Sequence, residues 1–529
     1  MTGVSGSCLP ERGSPGGASA VRLLLVLFAL STGCYFFSDN AADPDLWGHL
    51  TFGRHTFETG SIERVDRYSY SCPGARWINH EWLSEVLFHA VFSRWGGAGL
   101  IALKTAVGLV ILALVCGELG RRTGSLFLRL VLIVTSVSAI GYGFATRPQV
   151  FTYLFFALSV FVVHRVEQGR DPRWVWALPP AFWAWSNLHG GFVVGLGVLW
   201  CYAVITVLRR TVLRRGDEAP RRGLVGHVLG AALVGSAVTL LTPYGTELWL
   251  FLAGSLCRSR PYLREWQPAS PGLANLNYFA LLLLSGLSLW MSDRRRDPFA
   301  MTLLAVLAVA SLRQNRHIPL FAAAAAILVP AHVESAFGER LGDLERRLGP
   351  VFFGVLLLTG SLFFVVKPLY LERTNPLEIE VSPEDYPVGA VAFMKDNRIE
   401  GNVFCFFDWA QMCIREFPGD GKVFLDGRYR TVYRDEIIRD YFAVLFGQKP
   451  HREYLERFPE TDIMLLHVEN PLAELVGRDS QWIEVHASGP ARLFLKENSR
   501  NEDVLRRVAE CRFIRREVTG PTYLRPVQH

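Results

Sequence analysis

Apolar runs separated by short polar segments fill the chain from residue 21 to residue 369. The runs at 21–37, 98–119, 126–144, 150–166, 174–188, 192–208, 224–242, 276–291, 299–312, 319–333 and 351–369 are long enough, or nearly so, to cross roughly 30 Å of hydrocarbon. They predict a polytopic α-helical membrane protein with about eleven transmembrane helices. Arg22 gives the first run the look of a signal peptide, but Cys34-Tyr-Phe-Phe offers no small-x-small cleavage site, so the run reads as an anchor.

Two polar regions interrupt this pattern. Residues 38–97 form a large loop between the first two runs; in its last part Trp82, Leu83, Val86, Leu87 and Val91 recur at helical spacing and Asn79 is placed to cap, which predicts an amphipathic helix at the membrane interface. Trp47, Trp77, Trp82 and Trp95 read as interfacial anchors, and Lys104, inside the second run, as a snorkelling side chain. Beyond residue 371 short patterns alternate: helices at 384–397, 409–417, 435–445 and 452–458, strands at 403–407, 423–426, 463–466, 482–485 and 492–495. That alternation predicts a C-terminal α/β domain with a mostly parallel sheet. The expected organisation is a disordered Gly/Ser-rich leader at 1–20, a transmembrane domain at 21–371 and the α/β domain at 372–529.

Composition sharpens the picture only where it concerns charge. Half the residues are hydrophobic and mean hydropathy is +0.21, more than a soluble core needs. The net charge of +6 comes largely from arginine clusters in alternate connecting segments, so the positive-inside bias places the N-terminus in the cytoplasm and the 38–97 loop and C-terminal domain outside. That explanation removes nucleic acid as a partner. Of nine cysteines, Cys72, Cys257, Cys405, Cys413 and Cys511 would face the exterior, where one or two disulfides are open to them; no metal-type CxxC occurs.

With this orientation, polar residues gather at the outer ends of the helices: Asp43, Asp45 and His49; Asn79, His80 and Glu81; Arg147; His189; and Arg313, Arg316 and His317. Ionisable groups at a membrane boundary mark a site by default. No Walker A loop or dinucleotide fingerprint is present, so a transferase here would use a donor activated and delivered within the bilayer, such as a polyprenyl-phosphate sugar. An acidic residue among Asp43, Asp45 and Glu81, with His80 beside them, would take the acceptor's proton, while Arg147, Arg313, Arg316 or His317 would neutralise the departing phosphate. His49, Asn79 and His189 would line the site. Asp43, Asp45 and His49 also offer hard ligands for a divalent cation, Mg or Mn. Each has a plain alternative: Asp43 before Pro44 as a helix cap, Glu81 as a helix-dipole partner, Arg147 as a phospholipid anchor.

The segment from Asp43 to Leu50, continuing to Gly53, together with Trp77-Ile-Asn-His-Glu-Trp-Leu-Ser-Glu, Arg313–Phe321 and Val423–Arg428, resembles a group of bacterial integral membrane proteins related to the GT-C glycosyltransferase superfamily. The resemblance implies a GT-C-like architecture in a bacterial inner membrane, a lipid-linked sugar donor, a glycan, lipid or protein acceptor, inversion at the sugar, and Asp43 or Asp45 as general base. Phe407-Asp408-Trp409 is faintly similar to the acceptor motif of oligosaccharyltransferases but lacks the full WWDYG pattern. A ligase or polymerase using a diphosphate-linked donor is the rival enzyme, and a transporter or assembly subunit the rival outside enzymology. Transporters tend to carry repeats and midplane polar groups, and neither is evident here.

Overall fold

A computed structural model of the chain describes residues 15–212, 222–256, 258, 260–372, 375–417, 419–514, 518 and 520–526. Most of the expected leader, part of the basic segment after residue 212, and Cys257 lie outside the described residues. The described cysteines are unpaired.

Every predicted apolar run is helical. Ser19–Phe37, Trp82–Arg122, Gln149–Glu167, Phe192–Val212, Leu273–Met291 and Pro330–Glu372 are long and apolar enough to cross a membrane, and Leu126–Gly141, Gly223–Val238 and Pro298–Arg313 are shorter apolar helices. The chain is an integral membrane protein. Its run at 319–333 is divided: Ile318–Leu328 is one short helix, buried along its whole length, and Pro330 opens the next. The five alanines Ala322–Ala326 leave room for the Leu126–Gly141, Gln149–Glu167 and Pro298–Arg313 helices to pack closely around it. That central position fixes the polar turn preceding it, Asn315–His317.

The predicted interfacial helix and the second membrane run are one element, Trp82–Arg122, broken at Gly96, whose φ of 59° is open to glycine at little cost. Asn79 does not cap it; Asn79 Oδ1 accepts from the Glu81 N–H at 3.2 Å, inside the turn before the helix. Three further expectations are corrected by packing. Trp47 and Trp77 are core residues, 1% and 2% exposed, because the C-terminal domain covers the loop that carries them; Trp95 is 63% exposed. Lys104 does not snorkel: it is buried, and its Nζ donates to the Phe144 carbonyl at 2.9 Å.

The C-terminal domain holds a four-stranded sheet in the order Asn402–Cys405, Thr461–His467, Ala491–Lys496, Trp482–Ser488. Only the first pair is parallel, so the expectation of a mostly parallel sheet fails. The reason is connection length: Trp482–Ser488 and Ala491–Lys496 are joined across two residues, which permits only an antiparallel hairpin. The predicted strand at 423–426 reduces to bridges at Val423, with Ser69 and Val403 as partners, and Phe424 and Leu425 sit in an aromatic cluster. Through Ser69, and through the bridge of Ala41 to Glu380, the 38–97 loop and the C-terminal domain pair backbone to backbone.

Candidate active site

The acidic segment enters the Leu46–Thr59 helix with Asp45 at its N-cap, yet the carboxylate makes no capping bond; Asp43 Oδ1 accepts from the Asp45 N–H instead, at 3.0 Å. Both carboxylates turn toward Arg147, on the turn before the Gln149–Glu167 helix. Arg147 Nη2 lies 2.6 Å from Asp45 Oδ2, Nε 3.5 Å from Asp43 Oδ1, and Nη1 3.1 Å from Glu265 Oε2. Glu265 continues the network, with Oε1 3.4 Å from Arg316 Nη1. Groups far apart in the chain thus meet in one cleft of about 1320 Å³.

Asp43, Asp45, His49, Asn79, His80, Glu81, Arg147, His189, Arg313, Arg316 and His317, every residue singled out from the sequence, line that cleft. Their surroundings separate their chemistry. Burial pushes the Asp43 carboxyl up, Arg147 pulls it back and Asp45 repels it, leaving it at about 6. Glu81 is partly buried, which raises it, but the positive groups around it, His80 first, hold it down at about 2. His49 resists burial and is raised to about 9, chiefly by its hydrogen bond to Glu85, 3.3 Å away. His189 is driven down to about 3 by burial, so it stays neutral. Its Nδ1 accepts from the Gly191 N–H at 3.0 Å and pairs with Thr152 Oγ1 at 2.7 Å; Thr152 in turn accepts from Trp185 Nε1. The proton therefore sits on Nε2, 3.3 Å from Glu81 Oε1.

Facing the acids is a basic wall. Arg316 and Arg260 each lie 4.5 Å from the Trp266 ring centroid, and Arg260 also covers Tyr429. Burial, then repulsion from Arg316 and Arg430, lowers Arg260 to about 10, and its Nε is buried with no protein partner. Arg313 and Arg264 are exposed in the cleft and make no ion pair among the described residues. His317 is lowered to about 4, by burial and by Arg316, so it offers a hydrogen bond rather than a charge.

The C-terminal domain roofs the cleft. Gly427 lies so close over Asp45 that a Cβ there would overlap Asp45 Oδ1 and Gln411 Nε2. Next to it, Arg428 is buried between two carboxylates, Nη1 2.6 Å from Asp66 Oδ1 and Nη2 2.7 Å from Asp426 Oδ2, with the Trp77 ring centroid at 4.9 Å. Asp426-Gly427-Arg428 is thus a lock between loop and C-terminal domain, and Gly427 is its face toward the site. Asp408 reaches the cleft beside Trp409, itself buried with Nε1 donating to the Asp385 carbonyl oxygen; burial and Asp45 raise Asp408 to about 6.

The expected cation ligands Asp43, Asp45 and His49 do not converge, because Arg147 takes both aspartates. Among the described residues, the group whose ligand atoms lie within 4.8 Å of one another is His49, Glu81 and Glu85. Two carboxylates and an imidazole suit Mg or Mn, once His49 gives up its proton. Glu85, Glu265 and Arg260 escaped the sequence reading, whereas Asp408 was marked through Phe407-Asp408-Trp409. The segment Arg258 to Trp266 did carry a signal: three arginines on the same side of the helices as the acidic loop, where topology alone does not call for them.

No family model matches the chain, and no curated protein matches it by sequence. Solved structures do share its fold. The Archaeoglobus fulgidus oligosaccharyltransferase in the apo form matches with a TM-score of 0.54 and 11% identity, over 86% of this chain and 70% of that one. The archaeal oligosaccharyltransferase AglB from the same organism, in complex with an inhibitory peptide and a dolichol-phosphate, matches with 0.53 and 11% over the same shares. ArnT from Cupriavidus metallidurans bound to undecaprenyl phosphate matches with 0.43 and 14%, over 92% of this chain and 99% of that one. At such identities the likeness to the two archaeal oligosaccharyltransferase structures is one of fold alone.

Proposed function

We propose, from the GT-C-like fold and the cleft it encloses, that this protein transfers a sugar from a polyprenyl-phosphate donor to a glycan, lipid or protein acceptor at the outer face of a bacterial inner membrane. The N-terminus is cytoplasmic, and the domain from about residue 372 lies outside. The observation that carries the reading is the shared cleft in which the first-loop carboxylates Asp43 and Asp45 face the guanidinium groups of Arg260, Arg313 and Arg316. The archaeal neighbour's complex with dolichol-phosphate supports a lipid phosphate as the donor's carrier.

In this mechanism the acceptor hydroxyl attacks the anomeric carbon as a carboxylate removes its proton; the carbon–oxygen bond to phosphate breaks, and the polyprenyl phosphate leaves with the electron pair. Asp43 is the better placed base by acidity. A carboxyl near 6 is both ionised at neutral pH and basic enough to accept a proton, whereas Glu81 near 2 is not. Arg147 orients both aspartates. Arg313 at the end of the Pro298–Arg313 helix, Arg316 in the turn after it and Arg260 from a separate segment neutralise the departing phosphate, where charge-assisted hydrogen bonds gain most. A divalent cation, Mg or Mn, would be held by Glu81, Glu85 and His49 and would supply a Lewis acid.

The test is transfer by the purified protein in lipid, supplied with a panel of polyprenyl-phosphate sugars. Asp43→Asn is expected to lower turnover by about 10²–10⁴-fold, the usual weight of a general base, with folding unchanged. Transfer that survives both Asp43→Asn and Asp45→Asn, or that no lipid donor elicits in the wild type, would overturn the reading.

A further inference from the structure

A second cleft, of about 610 Å³, opens beside the first. Asp43 and His317 line one and Asn40 and Ile318 the other, so the segment 40–43 and the 317–318 turn form the wall between them. The chemistry on the two sides of that wall differs. No lysine, arginine or histidine lines the second cleft among the described residues; its polar groups are carboxylates, amides, hydroxyls and phenols.

Several of these groups lack partners. Asp39 and Glu380 make no side-chain hydrogen bond or ion pair among the described residues. Asn275 is 7% exposed; its Nδ2 donates to the Ser270 carbonyl oxygen at 3.0 Å, and its Oδ1 is buried at the cleft wall with nothing to accept from. A buried acceptor left open calls for a donor from outside the chain. Lys367 is held by two lining residues, Glu372 at 2.7 Å and Tyr35 at 2.6 Å. An anionic phosphate entering here would meet the carboxylates of Asp39 and Glu380, which no cation among the described residues pairs. Hydroxyl groups would instead find acceptors on Asp39, Glu380 and Asn275, and the half-exposed ring of Tyr142 would cover the apolar face of a sugar. Beside the cleft, the Leu276–Met291 helix packs on Pro330–Val366, and both turn exposed apolar side chains outward, Leu276, Leu283, Leu358 and Leu362 among them.

We propose that this second cleft seats the uncharged, hydroxyl-rich head group of a glycolipid whose tails lie against that apolar helix surface. Taken with the transferase reading, on which this last step rests, that glycolipid is the acceptor: its hydroxyl is presented across the wall to the lipid-phosphate donor in the first cleft.

The experiment uses the full chain, purified without glycoside detergent and reconstituted in phosphatidylcholine nanodiscs, with a dodecyl maltoside carrying a photoreactive diazirine near its head. Labelling is expected on peptides containing residues 35–41 and 274–278, competed by plain dodecyl maltoside and not by dodecyl phosphate or dodecyltrimethylammonium. Asp39→Ala with Glu380→Ala should reduce labelling about tenfold, the weight of one or two lost hydrogen bonds. Asp43→Asn should leave it unchanged. Labelling scattered over the helices, or competed equally by the charged amphiphiles, overturns the glycolipid site. Labelling as expected in a protein that transfers from no lipid donor upholds the site and removes only its acceptor role, so the two readings fail separately.

Discussion

Asp43 and Asp45 are two residues apart and share one arginine, yet the cleft treats them differently. Asp43 is pushed up to about 6 by burial first, with Arg147 and Asp45 acting in opposite senses. If it is the base, its active form is the carboxylate, present above pH 6 and lost as pH falls through that value. The acidic limb of kcat/KM is therefore expected near 6, falling about tenfold per pH unit below it; a limb near 4 in a pH–rate profile would point to another carboxylate. The sequence marked Asp43 because a carboxylate at a membrane boundary is conspicuous. It did not mark Glu265, which meets Arg147 from 118 residues away. A single glutamate in an arginine-rich segment carries no sign of the guanidinium it will bridge.

At the scale of elements, the helices were legible because each membrane run states its own burial. The sheet was not, since strand direction follows from how the chain returns, and a two-residue hairpin between Ser488 and Ala491 reverses it whatever the strands contain. The tripeptide 426–428 shows the same limit. Apolar Val423, Phe424 and Leu425 read as a strand, but they fill an aromatic cluster and deliver Gly427 to the roof over Asp45. Adding a methyl there has a defined outcome: Gly427→Ala must displace Asp45 or Gln411, and a shift of that size in a reacting group lowers turnover by about 10²-fold. Steady-state kinetics would register the loss in kcat, with the melting temperature changed much less. Wild-type kcat in this variant would mean that Asp45 need not hold its position.

For the whole molecule, the decisive contact is the one that clamps the C-terminal domain onto the first loop. Arg428 bridges Asp66 of the loop and Asp426 of the domain, with both carboxylates fully buried. Arg428→Gln would leave two buried charges without their cation, a loss of about 3–5 kcal/mol. Thermal unfolding in detergent should show it as a marked fall in melting temperature, and a change below about 1 kcal/mol would mean the domain is held elsewhere. What the sequence determined by itself is the membrane body, its helices and the set of polar residues at the helix ends, because hydrophobic burial is written locally in residue type and period. What only the tertiary structure decided is which of those residues meet: Arg147 with three carboxylates, Lys104 with a backbone carbonyl, Arg428 between loop and domain. Charge pairing acts over a few ångströms in space, and contacts between segments a hundred residues apart exist only once the helices have packed.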